Sequence, residues 1–195
     1  GWQEETYRHL DFHEAPVYPV QRPEGGELVL SIPLGGKTLF FSAWQVLLGR
    51  GKLYLIDTSI EQNTPGNRVL SARLYTADRE ERLQQEILLG LGGVRLMRAL
   101  GISPSVWHAN EGHTAFMLLE RANEEVAKGV SFAEAVSITK ETAIFTTHTP
   151  VPAGSDVFSS QIIEKYFAGY WDSLGIDLKT FLELGETDSS GAGNF

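Results

Sequence analysis

The hydrophobic period of this chain changes once, near its middle, and that change limits the folds open to it. In residues 28–34 apolar side chains fall on alternate positions, placing Leu28, Leu30, Ile32 and Leu34 on one face, which is the period of a half-buried strand. Gly35-Gly36 tolerates positive φ and precedes the β-rich run 38–47, so the two runs predict a hairpin. A third short strand is expected at 53–56, after the Gly49-Arg50-Gly51 turn, and the polar stretch 57–66, which contains Pro65, reads as a loop.

Beyond residue 78 the period becomes helical. Asp78 followed by Glu81 resembles a capping box, and Leu83, Ile87, Leu91, Val94 and Met97 recur as far as Gly101, predicting one long helix. Gly90, Gly92 and Gly93 would each cost that helix about 1 kcal/mol relative to Ala, so the close approach of another backbone is expected there. A strand at 106–108 should feed a helix over 113–128, and Ser131 with Glu134 should open another running to 140. Residues 143–147 read as a β-branched strand ended by Pro150 and Pro152. Ile162, Ile163, Tyr166, Phe167, Tyr170 and Trp171 mark an amphipathic helix whose rings belong to the core, with Trp171 partly exposed, and 177–184 is a shorter helix. Strands alternating with helices imply parallel βα units after a β meander in the first third, which is an α/β fold class.

Composition narrows the function classes. Sixteen Lys and Arg against 25 Asp and Glu give a net charge of -9, which repels a phosphate backbone, so no nucleic-acid partner is expected. Cysteine is absent, which removes disulfide scaffolds, thiol nucleophiles and Cys-ligated zinc. The apolar runs are far shorter than the roughly 20 residues of a membrane span, so a cytoplasmic setting with no membrane partner is expected. The chain opens at Gly1 without Met and ends at Phe195 after the polar stretch 185–194, so an interior piece of a longer polypeptide is expected, with 185–195 a flexible end.

Two segments carry groups suited to chemistry. Trp107-His108-Ala109-Asn110-Glu111-Gly112-His113 sets two imidazoles, an amide and a carboxylate at a strand-to-helix junction, and Phe145-Thr146-Thr147-His148-Thr149-Pro150 ends a strand in a histidine. In an open α/β sheet ligands lie beyond the carboxyl ends of parallel strands, so His113 and His148 are expected to face one crevice. The plainer alternative is that each histidine is a loop or capping residue. A metal reading of His108, Glu111, His113 and His148 lacks the His-Glu-x-x-His spacing that would place two imidazoles on one helix face. Gly90-Leu91-Gly92-Gly93 reads as packing, because Arg95 stands at the third glycine of a dinucleotide fingerprint and the run follows a helix. Arg79-Glu80-Glu81-Arg82 reads as a charged helix face with local pairs, and Asp11-Phe12-His13-Glu14 as a solvated face.

These blocks resemble the α-glucan phosphorylases, and the bacterial and archaeal branch in particular. The resemblance is carried by Arg73-Leu74-Tyr75 with Asp78, by Gln85-Glu86-Ile87-Leu88-Leu89-Gly90 running into Gly93-Val94-Arg95, and by Arg98-Ala99-Leu100-Gly101-Ile102. Val106-Trp107-His108 with Asn110-Glu111-Gly112-His113, and Phe145-Thr146-Thr147-His148-Thr149-Pro150-Val151-Pro152-Ala153-Gly154, complete it. Thr76-Ala77 departs from the two glycines usual before the aspartate, and Thr114 stands where alanine or proline is common.

The resemblance implies a two-domain glycosyltransferase of the GT-B type. Residues 1–195 would form part of its N-terminal, Rossmann-like, glucan-binding domain, and the C-terminal cofactor domain would be absent. It implies phosphorolysis of an α-1,4-glucan or maltooligosaccharide by inorganic phosphate, releasing glucose 1-phosphate, with pyridoxal phosphate held on a lysine whose motif is not in this sequence. It further implies that His148 is the catalytic residue of the donor-sugar subsite, its backbone carbonyl facing the anomeric carbon, and that Asn110, Glu111 and His113 line the neighbouring subsites. A GT-B transferase with a nucleotide-sugar donor, or a non-catalytic carbohydrate-binding module, are the alternatives.

Overall fold

The computed structural model describes residues 15–73, 76, 78–149 and 156–185. The amino-terminal part is an antiparallel sheet built on one long strand: β1 (Val17–Pro19), β2 (Leu30–Leu34), β3 (Lys37–Leu48) and β4 (Gly51–Asp57). β2 pairs with the first part of β3, Leu34 opposite Lys37 and Leu30 opposite Phe41, while β4 and β1 pair with its second part. Gly35 and Gly36, at φ +59° and +70°, make the two-residue turn whose twist suits adjacent strands. The alternation read at 28–34 places Ile32 and Leu34 in the core, against Leu39 and Phe41 of β3.

The stretch expected as a loop after β4 contains a helical turn, α1 (Pro65–Arg68), with Thr64 as its cap and Pro65 at its start. Asn63 pins this segment. Its amide donates to the carbonyls of Phe40 at 2.7 Å and Thr58 at 2.8 Å, while Oδ1 accepts the Phe40 N–H at 3.0 Å. A buried amide side chain so satisfied replaces a missing strand.

The long helix expected from 78 to 101 exists in three pieces: α2 (Arg79–Ile87), a π turn (Leu88–Gly92) and α3 (Gly93–Ala99). Asp78 caps it by accepting from the N–H groups of Glu80 and Glu81, but the capping box is not closed. Thr76 Oγ1 donates to the Glu81 carboxylate at 2.6 Å and itself accepts the Asp78 N–H. Gly90 meets the expectation of a close approach: a Cβ there would lie 2.7 Å from both the amide nitrogen of Met117 and Cβ of Phe116. Gly92 abuts the Phe41 ring, whereas Gly93 faces open space and its absence of a side chain has no packing reason.

The second half holds β5 (Trp107–Asn110), a 3₁₀ turn (Gly112–Thr114), α4 (Met117–Val126), α5 (Phe132–Glu141) and β6 (Ala143–Thr146). β5 and β6 form a two-stranded parallel sheet, and Ser131 caps α5 through the Glu134 N–H at 3.3 Å. The amphipathic helix expected across 162–171 is broken: α6 (Ser160–Tyr166) and α7 (Tyr170–Ser173) are separated at Gly169, φ +79°, and α8 (Leu178–Glu183) follows. Phe167 and Tyr170 are core residues, with Phe167 stacked edge-on against Phe116 at 5.0 Å, while Trp171 is half-buried. Mixed strand and helix content of this kind defines an α/β chain. Among the described residues no helix is long and apolar enough to cross a membrane.

One buried polar knot ties these parts together. Glu120 of α4 accepts from Tyr170 OH at 2.8 Å and from Arg95 Nε at 2.6 Å, and Arg95 Nη1 donates to the Ser31 carbonyl at 2.7 Å. Burial, reinforced by the Glu120 carboxylate, holds the Tyr170 phenol well above its ordinary pKa, so it stays a donor.

Gly90→Ala should lower unfolding free energy by about 1–3 kcal/mol, because the added methyl meets backbone on another helix. Gly93→Ala should raise it by about 0.5–1 kcal/mol, since it stiffens a helix with nothing to strike. Urea unfolding of both variants checks the pair.

Candidate functional site

The parallel pairing sets the site. Trp107 lies opposite Ala143 and Asn110 opposite Thr146, so both strands end at the same edge. Along β5 burial alternates: Trp107 and Ala109 pack with Val94 and Met117, leaving His108 and Asn110 exposed. Arg98 and Arg121 each hold a guanidinium 5.3 Å from the Trp107 ring centroid, which fixes the start of the strand. His108 Nε2 lies 2.7 Å from Thr146 Oγ1, joining the two strands by side chains as well.

Beyond β5 the chain turns sharply at Glu111, which has φ +63° and ψ 173°. This region is ordinarily occupied by glycine, and a side chain there costs about 1–3 kcal/mol. The surroundings hold it in place. Glu111 N–H donates to the Thr146 carbonyl at 2.8 Å, extending the β5–β6 ladder by one bond. The Glu111 carboxylate reaches back over β6: Oε1 accepts the His148 N–H at 2.6 Å and the Thr149 hydroxyl at 3.5 Å, and Oε2 accepts the Thr147 hydroxyl at 3.3 Å. One carboxylate thus organises three successive residues past the end of β6.

His148 is also tied through its ring, whose Nε2 lies 3.0 Å from Asn110 Oδ1. An amide oxygen only accepts, so with the oxygen placed there Nε2 carries the hydrogen and Nδ1 is left as a free acceptor. Asn110, Glu111 and His148 are therefore joined in one hydrogen-bonded set. His113 stands on the 3₁₀ turn at the same end of β5, half-buried, and among the described residues its side chain has no hydrogen-bond partner. Pro150 and Pro152 lie outside the described residues, as do His13 and its neighbours.

Two features of this site escape a sequence reading. The use of Glu111 as an internal acceptor needs the φ value, which no sequence pattern announces for a glutamate. The second is the pair of hydroxyls on Thr147 and Thr149 that donate to that carboxylate, for which their place just past a strand end is the one signal in the residues.

The site offers neutral donors and acceptors around a single carboxylate, which suits a neutral, hydroxyl-rich ligand more than an anion. It does not fit a Schiff-base cofactor. The lysines of the described residues stand elsewhere, Lys37 and Lys52 in the antiparallel sheet, Lys128 after α4, and Lys140, Lys165 and Lys179 on α5, α6 and α8. Among the described residues no three His, Asp or Glu side chains are grouped closely enough to hold a metal ion.

In this α/β chain the carboxyl ends of a parallel strand pair present an Asn-Glu-Gly-His turn against a Thr-Thr-His-Thr segment. No protein-family model matches the chain. It is 42% identical over 185 residues to maltodextrin phosphorylase of Thermococcus litoralis, covering 95% of this chain and 22% of that protein. It is 37% identical over 185 residues to glycogen phosphorylase of Aquifex aeolicus, covering 95% of this chain and 27% of that protein. Glycogen phosphorylase of Mycobacterium tuberculosis is 38% identical over 173 residues, 85% of this chain and 20% of that protein. Over most of its own length the chain is similar to the α-glucan phosphorylases, and it spans about a fifth to a quarter of the length of the curated relatives it matches.

Glu111→Ala should release the segment after β6. The amide of His148 would lose a hydrogen bond to a charged acceptor, and its exchange with solvent should quicken by about 10-fold to 100-fold. Hydrogen-exchange mass spectrometry or NMR checks this, with the amide of Ala122 in α4 as the unaffected reference.

Proposed function

We propose that this chain supplies the glucan-site residues of an α-1,4-glucan phosphorylase, within the N-terminal, Rossmann-like domain of a GT-B enzyme. The observation that carries the reading is the hydrogen-bonded set of Asn110, Glu111 and His148 at the shared end of β5 and β6. The similarity to a maltodextrin phosphorylase and a glycogen phosphorylase supports it. In the intact enzyme the substrates would be an α-1,4-glucan and inorganic phosphate, and the product glucose 1-phosphate from the non-reducing end. Pyridoxal phosphate would supply proton exchange with the substrate phosphate from a lysine that lies outside this sequence. A cytoplasmic setting accords with such substrates.

The roles of the residues follow from their bonding. His148 Nε2 is engaged by Asn110, so Nδ1 is the atom left to accept a sugar hydroxyl. Glu111 holds the backbone of His148 through its N–H, which orients the following carbonyl. That carbonyl is the dipole that would face the anomeric carbon as positive charge develops. A dipole fixed before the reaction needs no reorganisation, which is the source of several kcal/mol in such transition states. Asn110 then has two parts: it sets the His148 tautomer, and its amide nitrogen is a donor for the neighbouring sugar. His113, with no partner among the described residues, is the remaining group for that sugar.

His148→Ala and Asn110→Ala should each weaken maltopentaose binding by about tenfold or more, the cost of removing one hydrogen bond and leaving the sugar hydroxyl desolvated. Calorimetry measures this, and unaltered affinity in both variants contradicts the reading. These 195 residues alone should release no glucose 1-phosphate from maltooligosaccharide and phosphate, because no lysine reaches the site. A coupled assay for glucose 1-phosphate tests that, and a positive rate overturns it.

A further inference from the structure

A pocket of about 390 Å³ opens between the β2–β3 hairpin, α3, α4 and the chain entering α7, and none of the glucan-site residues lines it. Its polar lining is Lys37 and Thr38 of β3, Arg95 of α3, Asn123 of α4 and Ser173 of α7. No carboxylate lines it, although the chain as a whole carries a net charge of -9. Glu120 stands behind Arg95, buried, with Oε1 engaged by Arg95 and Oε2 by Tyr170. Lys37 is therefore a cation without a counter-charge in the pocket.

The donors left over converge from three elements. Arg95 commits Nε to Glu120 and Nη1 to the Ser31 carbonyl, which fixes the guanidinium and leaves Nη2 unbonded among the described residues. The Lys37 ammonium and the Asn123 amide also make no hydrogen bond or ion pair among the described residues. Ser173 Oγ donates to the Tyr170 carbonyl at 2.6 Å and keeps its lone pairs free to accept. The walls are tied before any ligand arrives. Gly35 N–H donates to the Tyr166 carbonyl at 2.9 Å, joining the hairpin to the end of α6, and the Arg95 bonds join β2 to α4.

This chemistry selects among anions. A carboxylate is held best by two parallel N–H groups on one edge of a guanidinium, and each edge of Arg95 already has one arm engaged. A phosphoryl group instead offers three terminal oxygens in different directions, which suits single donors from β3, α3 and α4. The volume lies in the range of small-molecule pockets, about 300–1,000 Å³, so an organic body fits beside the phosphoryl group. The acidic surface elsewhere disfavours anions, which concentrates their binding where the local field is positive.

We propose that this pocket binds a small phosphate monoester, its phosphoryl oxygens on Lys37, Arg95 Nη2 and Asn123 and its hydroxyl-bearing part toward Ser173. The site is separate from the proposed glucan site and does not depend on that reading. A ligand held this way bridges the β2–β3 hairpin to α3, α4 and α7, the elements that the Glu120, Tyr170 and Arg95 knot already joins.

The test titrates the intact protein with glycerol 3-phosphate at an ionic strength held constant with sodium chloride. Hydrogen exchange is read at the amides of Gly35 and Tyr170, which are bonded to the carbonyls of Tyr166 and Phe167 beside the pocket. With the probe at about ten times its Kd, any opening that must release it should be suppressed by about tenfold. Lys37→Ala, which removes an exposed side chain outside the core, should weaken the probe at least about tenfold, whereas Lys37→Arg should keep most of the affinity. Asn123→Ala should weaken it in the same direction, and succinate should protect these amides at least about tenfold less well than the phosphate probe. Absence of protection in the wild type, equal protection in Lys37→Ala, or succinate as effective as the probe overturns the proposal. Protection confined to the amide of His148 places the anion at the other site and overturns it as well. Protection at both places, lost in Lys37→Ala only at Gly35 and Tyr170, supports it.

Discussion

The bond from the His148 N–H to the Glu111 carboxylate, at 2.6 Å, is the constraint on which the site depends. It links the turn after β5 to the segment after β6, and with the Glu111 N–H on Thr146 it closes a ring of backbone and side chain across the strand ends. A glutamate at φ +63° is an unfavourable local choice that only such a ring can hold. Local strain of this kind collects where geometry must be kept against the preference of the chain. The carboxylate acts as scaffold first, and it leaves the Asn110 amide nitrogen, His148 Nδ1 and His113 as the groups facing outward chemistry.

The frame behind that ring is the α2, π turn and α3 sequence. Gly90 in the π turn admits the backbone at Phe116 and Met117, so the helix that follows the 3₁₀ turn of His113 is seated directly against it. Leu83, Ile87 and Leu91 close the core against Leu39 and Phe41 of β3. The Glu120, Tyr170 and Arg95 knot then adds α7 and β2 to the same body. Packing at Gly90 fixes where β5 ends relative to α2, and the arginines of α2 fix where the chain resumes after the site.

Much of this was legible in the residues. Alternation at 28–34 and the Gly35-Gly36 pair marked the hairpin because both depend on backbone periodicity and φ, which act locally. The glycine cluster at 90–93 was readable as a close approach because three glycines in a helical period need a reason, although only Gly90 has a strong one. Other features depend on tertiary context. The break at Gly169 turns the expected helix across 162–171 into two short ones, since the left-handed glycine lets Phe167 and Tyr170 both enter the core. The turn α1 hides in a polar stretch because it is held by Asn63 bonds to β3, not by its own propensity. The Arg79 and Arg82 bonds reach more than 70 positions along the chain, beyond any local pattern. For the site, the motifs put Asn110, Glu111 and His148 at or just past strand ends, while the direction of the Glu111 carboxylate depends on a positive φ that tertiary bonds hold.

The proposed glucan site makes a single claim about space: His113 and His148, at one end of the β5–β6 pair, would serve one sugar. The direct measurement is an NMR titration of the histidine ring protons with maltopentaose. The account predicts that His113 and His148 shift together along one binding curve, with His108, bonded to Thr146, shifting less. Movement of only one of the two rings, or of neither at saturating sugar, contradicts it.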